Sequence, residues 1–206
     1  MLNIHDEKGL VEQCRKQNRN AQKILYEKYY HKMMAICVRY LKSEEDALEV
    51  LNNAFLKVFA KIKQYKSEGT LEGWMKRIVI NSSIDFVRSN KEYKNKFILT
   101  NEFSLYGSLE EEEPSSSSFS NIDSHLNKEQ LFELITELPP ATRIVFNLYV
   151  IDDFTHKQIS EQLKISEGTS KWHLSNARKI LQAKINQTVI KIIKDSDHGK
   201  ETSGLR

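Results

Sequence analysis

The stretch 155-THKQISEQLKISEGTSKWHLSNARKIL-181 holds two helical patterns separated by a break only long enough for a tight turn. A first helix over 155–163 would bury Ile159 and Leu163. Ile165 then anchors a three-residue turn, and Ser166 is placed to cap the next helix by accepting a hydrogen bond from a free backbone N–H. In that second helix Ser170, Leu174, Ala177 and Leu181 fall at i, i+4, i+7 and i+11, which puts them on one inward stripe. The outward face is then Thr169, Lys171, Trp172, Ser175, Asn176 and Lys179. This is the spacing of a helix-turn-helix, and amides and cations on the exposed second helix suit a major groove. The same spacing also fits a helical hairpin with a solvated basic face. His173, at the edge of the inward stripe, reads as a phosphate contact in preference to a solvated position. Trp172 either packs on the preceding helix or contacts a partner.

Composition sets the frame around this motif. Seven Gly and three Pro in 206 residues, with 29% charged and 39% apolar residues, predict an all-α chain of two small helical domains. Cys14 and Cys37 show neither CxxC spacing nor nearby His, so no zinc site or disulfide scaffold is expected, and a reducing cytoplasm is the simple location. The start, MLNIHDEKGL, lacks the apolar run of a signal peptide, and no 18-residue apolar stretch occurs. Export and membrane insertion are therefore not expected.

Charge is unevenly spread. Between Phe97 and Asn127 there is no Lys or Arg, while Glu102, Glu110, Glu111, Glu112, Glu113 and Asp123 contribute −6 to a whole-chain charge of +3, so the flanking parts together carry +9. Two cationic modules joined by an anionic strap point to nucleic acid as a partner of the modules. The strap, with EEEEPSSSS at its centre, is too polar to order itself. As a flexible linker it would span on the order of 30 Å as a coil and about 100 Å extended.

Before the strap, Ile24, Leu25, Tyr29, Met33, Met34, Ile36, Cys37 and Leu41 recur at mostly helical spacing over 21–41. Ser43-Glu44-Glu45-Asp46 then resembles a capping box. The helix it opens carries Ala47, Val50, Leu51, Ala54, Phe55, Val58, Phe59 and Ile62 at i, i+3, i+4, i+7 and onward. QYKSEGT, 64–70, reads as a loop. A helix over 71–91 follows, its inner face predicted as Leu71, Trp74, Met75, Ile78, Ser82 and Phe86 and its other face as Lys76, Arg77, Asn81, Asp85 and Arg88, running on to Lys91, Lys94 and Lys96. That face is either solvated or, beside a loop exposing Tyr65 and Lys66, a platform for unstacked bases. After the strap, Asn127 caps a helix burying Leu131, Leu134, Ile135 and Leu138, and Pro139-Pro140 ends it. A further helix over 141–151 would bury Ile144, Val145, Leu148 and Tyr149 against the helix-turn-helix. The last helix runs through Ile185, Val189 and Ile193 before fraying in DSDHGKETSGLR.

Two longer signatures resemble a known family. DALEVLNNAFLKVFAKIKQYKSEGTLEGWMKRIVINSSIDFVR and LPPATRIVFNLYVIDDFTHKQISEQLKISEGTSKWHLSNARKIL are similar to regions 2 and 4 of the extracytoplasmic-function (ECF) sigma factors of the sigma-70 family. The first includes W-x-x-x-I-x-x-N-x-x-x-D-x-x-R. The resemblance implies a region 2 bundle over 8–96, a linker over 97–127, a region 4 helix-turn-helix over 128–194 and a flexible tail over 195–206. It implies a non-enzymatic subunit, without cofactor or metal, that binds core RNA polymerase and promoter DNA and is held by an anti-sigma factor. By that similarity Asn52, Asn53, Leu56, Lys57 and Lys61 dock the polymerase clamp. Tyr65, Lys66, Ser67, Asn81, Asp85, Arg88 and Lys91 engage the melting −10 element, where a base is flipped at a cost of a few kcal/mol. Thr169, Lys171, Trp172, His173, Ser175, Asn176 and Lys179 lie in the −35 groove, and the strap occupies the polymerase's positively charged channels.

The chain departs from the family's usual residues at Asn52-Asn53, where Gln followed by an acid is common, at Lys164 for Gly, at Ser170 for Val, and at Trp172-His173. A stand-alone helix-turn-helix regulator with a helical sensor domain is the alternative function; a helical scaffold would share the stripes without the charge split. An enzyme would need a GxGxxG, P-loop, HExxH or nucleophile-elbow pattern, and none occurs.

Overall fold

The computed structural model describes residues 6–41, 43–89 and 127–201, the backbone alone at 128 and 189–201, and among these residues every regular element is helical. The chain divides into two compact units, Met1–Lys94 and Asn95–Arg206. The acidic strap up to residue 126, and with it Lys91, Lys94 and Lys96, lies outside the described residues.

The first unit holds α1 (Glu7–Arg15), α2 (Arg19–Leu41), α3 (Glu44–Lys61, followed by a 3-10 turn at Ile62–Gln64) and α4 (Leu71–Ser89). α2, α3 and α4 pack on one another, and α1 lies against α2. Ser43 caps α3 by accepting from the Asp46 N–H at 3.2 Å, as its spacing predicts. The α3 stripe from Ala47 to Val58 is buried as expected, together with Ile62; Phe59 sits half-buried at its margin. α1 has no counterpart in the sequence reading: a nine-residue helix with Leu10, Val11 and Cys14 inward offers too few turns for a periodic signal. Asp6 caps it, and the Tyr29 hydroxyl donates to Glu7 at 3.0 Å, tying its start to α2. Burial pushes both thiols up, Cys14 and Cys37 each to about 11, so both are protonated core groups.

α4 is rotated relative to its predicted face. Leu71, Met75, Val79, Ile80, Ser82, Ser83, Ile84 and Val87 are buried, whereas Trp74, Ile78 and Phe86 are only half-buried. The cause is packing on two neighbours: a helix covered by both α2 and α3 buries a wide arc rather than one stripe. Ser83 is tolerated inside because its hydroxyl donates to the Val79 carbonyl at 3.0 Å.

The second unit holds α5 (Lys128–Thr136), α6 (Pro140–Phe146, continued by a π-helical turn at Asn147–Ile151), α7 (His156–Leu163) and α8 (Glu167–Glu201). Asn127 opens α5 with a reciprocal capping box to Gln130. Leu131, predicted inward, is 41% exposed, whereas Ile135 and Leu138 are buried. α5 ends at Thr136, and Pro140 starts α6, where a missing N–H costs nothing. The predicted single helix over 141–151 widens after Phe146 into the π-helical turn, which keeps Leu148 buried while Tyr149 reaches the His156 ring. The α8 backbone remains helical to Glu201, past the point where the sequence predicts fraying.

At the bend between α7 and α8, Lys164 has φ 57° and ψ 46°, the left-handed conformation that ends α7, and the Ile165 N–H bonds back to the Ser160 carbonyl at 3.2 Å. An L-residue there costs roughly 1–2 kcal/mol, and glycine's extra unfolded freedom offsets about half of that. Lys164→Gly is therefore expected to stabilise the second unit by about 0.5–1 kcal/mol, read from the denaturant midpoint at constant slope; an unchanged or lowered midpoint contradicts the strain.

Candidate nucleic-acid interface

Two caps set the helix-turn-helix. Thr155 opens α7 with a capping box to Gln158, and Ser166 accepts from the Thr169 N–H at 2.9 Å to start α8. Between them α7 and α8 bury Ile159, Leu163, Ser170, Leu174, Ala177 and Leu181, the stripe predicted from spacing. Lys171 and Lys179 are exposed, while Thr169, Trp172, Ser175 and Asn176 are half-buried along the outer side. Thr169 is already engaged, its hydroxyl 2.9 Å from that of Ser166.

His173 does not face outward. It is 3% exposed, and its Nδ1 shares a hydrogen bond of 3.1 Å with the hydroxyl of buried Thr142 on α6. The predicted phosphate contact is thereby excluded, since a groove cannot reach a ring enclosed between α6 and α8. Ser170 is likewise buried and sits 2.9 Å from His156 Nδ1, and the His156 ring stacks on Tyr149 at 4.4 Å. Two His–hydroxyl pairs thus set α8 against α6 and α7. Desolvation lowers the pKa of both rings, and Lys171 adds to the effect at His156. Arg143, buried on α6, donates to the Thr136 carbonyl at 2.6 Å, where a cation meets the negative end of α5. Lys184 of α8 pairs with Glu137 just beyond it.

In the first unit the loop 65–69 is closed on itself. Tyr65 is 7% exposed, its hydroxyl donates to the Gly69 carbonyl at 2.6 Å, and its ring lies 5.5 Å from that of Trp74. Its predicted role as an exposed stacking surface is therefore corrected: the ring is used inside the fold. Lys66 and Ser67 are exposed at the loop tip, with Ser67 at φ 59°. The aromatic next to solvent is instead Trp74, which the spacing placed inward. Trp74, Arg77, Asn81, Asp85 and Arg88 recur at i, i+3, i+7, i+11 and i+14, so they form one outward strip of α4. At ~1.5 Å per residue the strip is about 21 Å long, the reach of roughly six nucleotides at ~3.4 Å each.

Asn52, Asn53, Leu56, Lys57 and Lys61 are all exposed on α3, with Leu56 at 66%. Leu48, unmarked in the sequence, is also exposed and lies one turn before Asn52, so two leucines flank it at i−4 and i+4. The Tyr26 hydroxyl donates to Asn52 at 2.9 Å and holds it. Lys57 is turned toward α4: its ammonium donates to Ser82 at 3.0 Å and lies 4.0 Å from Asp85. It links the α3 face to the α4 strip. Among the described residues no group of His, Cys, Asp and Glu comes together as a metal site, and no helix is long and apolar enough to cross a membrane.

A helix-turn-helix with cations on its second helix, together with a separate helical bundle, is the construction of a helical DNA-binding protein. The family model for sigma-70 region 2 matches residues 25–93, and that for sigma-70 region 4 matches 128–181. The chain belongs to the sigma-70 family, in its ECF group, and is an RNA polymerase sigma factor. It is 23% identical to the ECF RNA polymerase sigma-E factor of Escherichia coli (strain K12) over 188 residues, 87% of this chain and 94% of that protein. It is 22% identical to the RNA polymerase sigma factor SigV of Bacillus subtilis (strain 168) over 148 residues, 72% of this chain and 81% of that one. Among solved structures, the sigma factor RpoE in complex with the anti-sigma factor NepR from Bartonella quintana is similar over 80% of this chain and 96% of that one, with TM-score 0.46 and 15% identity. A stand-alone regulator is not favoured, because it leaves the region 2 match unexplained.

The buried His173 generates a pH dependence. Its pKa falls from 6.5 to about 4 on folding, so the unfolded chain binds the proton more readily. The neutral ring's contribution is complete above pH 6.5 and is lost as pH falls toward 4, by roughly 3 kcal/mol in all. Denaturant titrations at pH 7 and pH 4.5 are expected to show this loss in the second unit, and His173→Leu should remove most of the slope; an equal slope in the variant would refute the assignment.

Proposed function

We propose that the α4 strip and the 65–69 loop engage the −10 element as it melts, that the outward side of α8 reads the −35 major groove, and that the α3 face docks the polymerase clamp. The observation that carries this reading is the α4 strip, where an exposed amide, acid and guanidinium share one outward face of the region 2 unit with half-buried Trp74 and Arg88. Such a face suits stacking on unpaired bases with cations along the backbone. Lys66 and Ser67 at the loop tip, Asn81, Asp85 and Arg88 keep the roles the family resemblance implies, and Trp74 replaces Tyr65 as the stacking aromatic. In the −35 groove, Lys171 and Lys179 supply phosphate contacts, and Asn176 and Ser175 offer base-reading donors and acceptors beside Thr169 and Trp172. Asn52, Asn53, Leu56 and Lys61, with Leu48, form the clamp face.

Boundaries of 8–96 and 128–194 for the two modules fit this division of labour. The −6 strap between them has the charge of a nucleic-acid stand-in for the polymerase channels. Catalysis belongs to the core enzyme, and the protein works in the cytoplasm beside it. Family membership supports a helical anti-sigma partner that covers the polymerase-facing surfaces. Pull-down under inducing and non-inducing conditions tests that partner: recovery of core polymerase with no small regulator in any condition counts against it.

Run-off transcription from a promoter library, with and without core enzyme, tests the assignment as a whole. Promoter binding should require core; tight footprinting by the free protein, with nothing added by core, would be incompatible with it. On a promoter so recovered, Arg88→Ala should lower the slope of log K against log salt by about 1, the signature of a lost phosphate contact. Asn176→Ala should relax preference at one −35 position by ~1–3 kcal/mol rather than weaken all sequences alike.

A further inference from the structure

Arg15, the last residue of α1, precedes the stretch matched by the region 2 family model. Its Nη2 donates to the Tyr65 backbone carbonyl at 2.5 Å, fifty positions away, while its Nη1 lies 3.4 Å from Glu12. A guanidinium donating to a backbone carbonyl is a charge-assisted bond aimed at one point of the chain. That point is the entrance of the 65–69 loop. Tyr65 itself closes the loop's far end through its hydroxyl, which donates to the Gly69 carbonyl, and its ring backs Trp74 at 5.5 Å. At the tip, Ser67 holds a left-handed backbone in an exposed position, a conformation that the loop's two ends must maintain.

We propose that Arg15 is a positioning residue for −10 recognition: it anchors Tyr65, and through Tyr65 it sets both the loop tip and the orientation of Trp74. This makes α1 part of the promoter-reading apparatus. It rests on the loop and the α4 strip being the −10 surface. Arg15 does not touch DNA; its effect passes through a carbonyl and a ring.

Two measurements on Arg15→Ala test it. In the free full-length protein, trypsin cleavage after Lys66 should accelerate about tenfold, as loss of a charge-assisted bond at the loop entrance requires, with helical content retained. In holoenzyme on a promoter recovered by run-off selection, base preference within the −10 element should fall by a similar factor, with assembly with core unchanged and the salt slope equal to wild type. Arg15→Lys, which keeps one charged donor for the carbonyl, should recover part of both effects; if the alanine variant loses helical content, the lysine variant carries the comparison. Wild-type cleavage and preference in a folded Arg15→Ala would overturn the proposal, as they would in Arg15→Lys where that variant carries the comparison, and so would a salt slope lowered by about 1, which marks a direct phosphate ligand. Trp74→Ala and Lys66→Ala serve as the reference. If neither alters −10 preference, the −10 surface is misassigned and the proposal falls with it; if they alter it and Arg15→Ala does not, only the role of Arg15 fails.

Discussion

α4 is covered by both α2 and α3, and that double coverage decides where the first unit can do chemistry. Eight of its residues are buried, so only one strip of the helix reaches solvent along its length. Trp74, Arg77, Asn81, Asp85 and Arg88 occupy that strip because their three- and four-residue spacings follow the uncovered side. Burial of the rest makes the strip rigid, which matters for a surface that must meet bases leaving the stack. Lys57 extends the same logic across the bundle, since its ammonium reaches Ser82 and Asp85 and connects the α3 face with the α4 strip.

The second unit solves a related problem with polar groups. α8 must present donors outward while its inner side is enclosed by α6 and α7, and that inner side contains Ser170 and His173. A buried hydroxyl or imidazole without a partner would cost ~1–3 kcal/mol, whereas a bonded pair contributes about 1. Pairing Ser170 with His156, and His173 with Thr142, satisfies each group and specifies one orientation of α8. An apolar contact of equal area would be less particular about register.

Where a helix has one buried side, its pattern was legible in the residues alone. The α3 stripe, the inner stripe of the helix-turn-helix and the caps at Ser43, Asn127 and Ser166 all match the spacing. The left-handed conformation of Lys164 came from the fold; the sequence marks that position only as a lysine where similar chains carry Gly. Less legible was anything that depends on a second neighbour. Tyr65 and Trp74 exchanged places between surface and interior, because a tyrosine in a polar loop carries no mark of the Gly69 carbonyl that receives its hydroxyl. Leu131 looked inward by period but is 41% exposed.

The amino-acid sequence determined the helical class, the two-module order, the charge asymmetry and the family signatures, since these depend on periodicity, capping and composition, all local along the chain. Tertiary structure alone decided which way His173 faces, which aromatic stands at the surface of the first unit, and that Arg15 reaches the loop fifty positions on. The physical reason is common to all three. A side chain's environment is made by atoms from other elements, and no helical period encodes the partner that arrives from elsewhere.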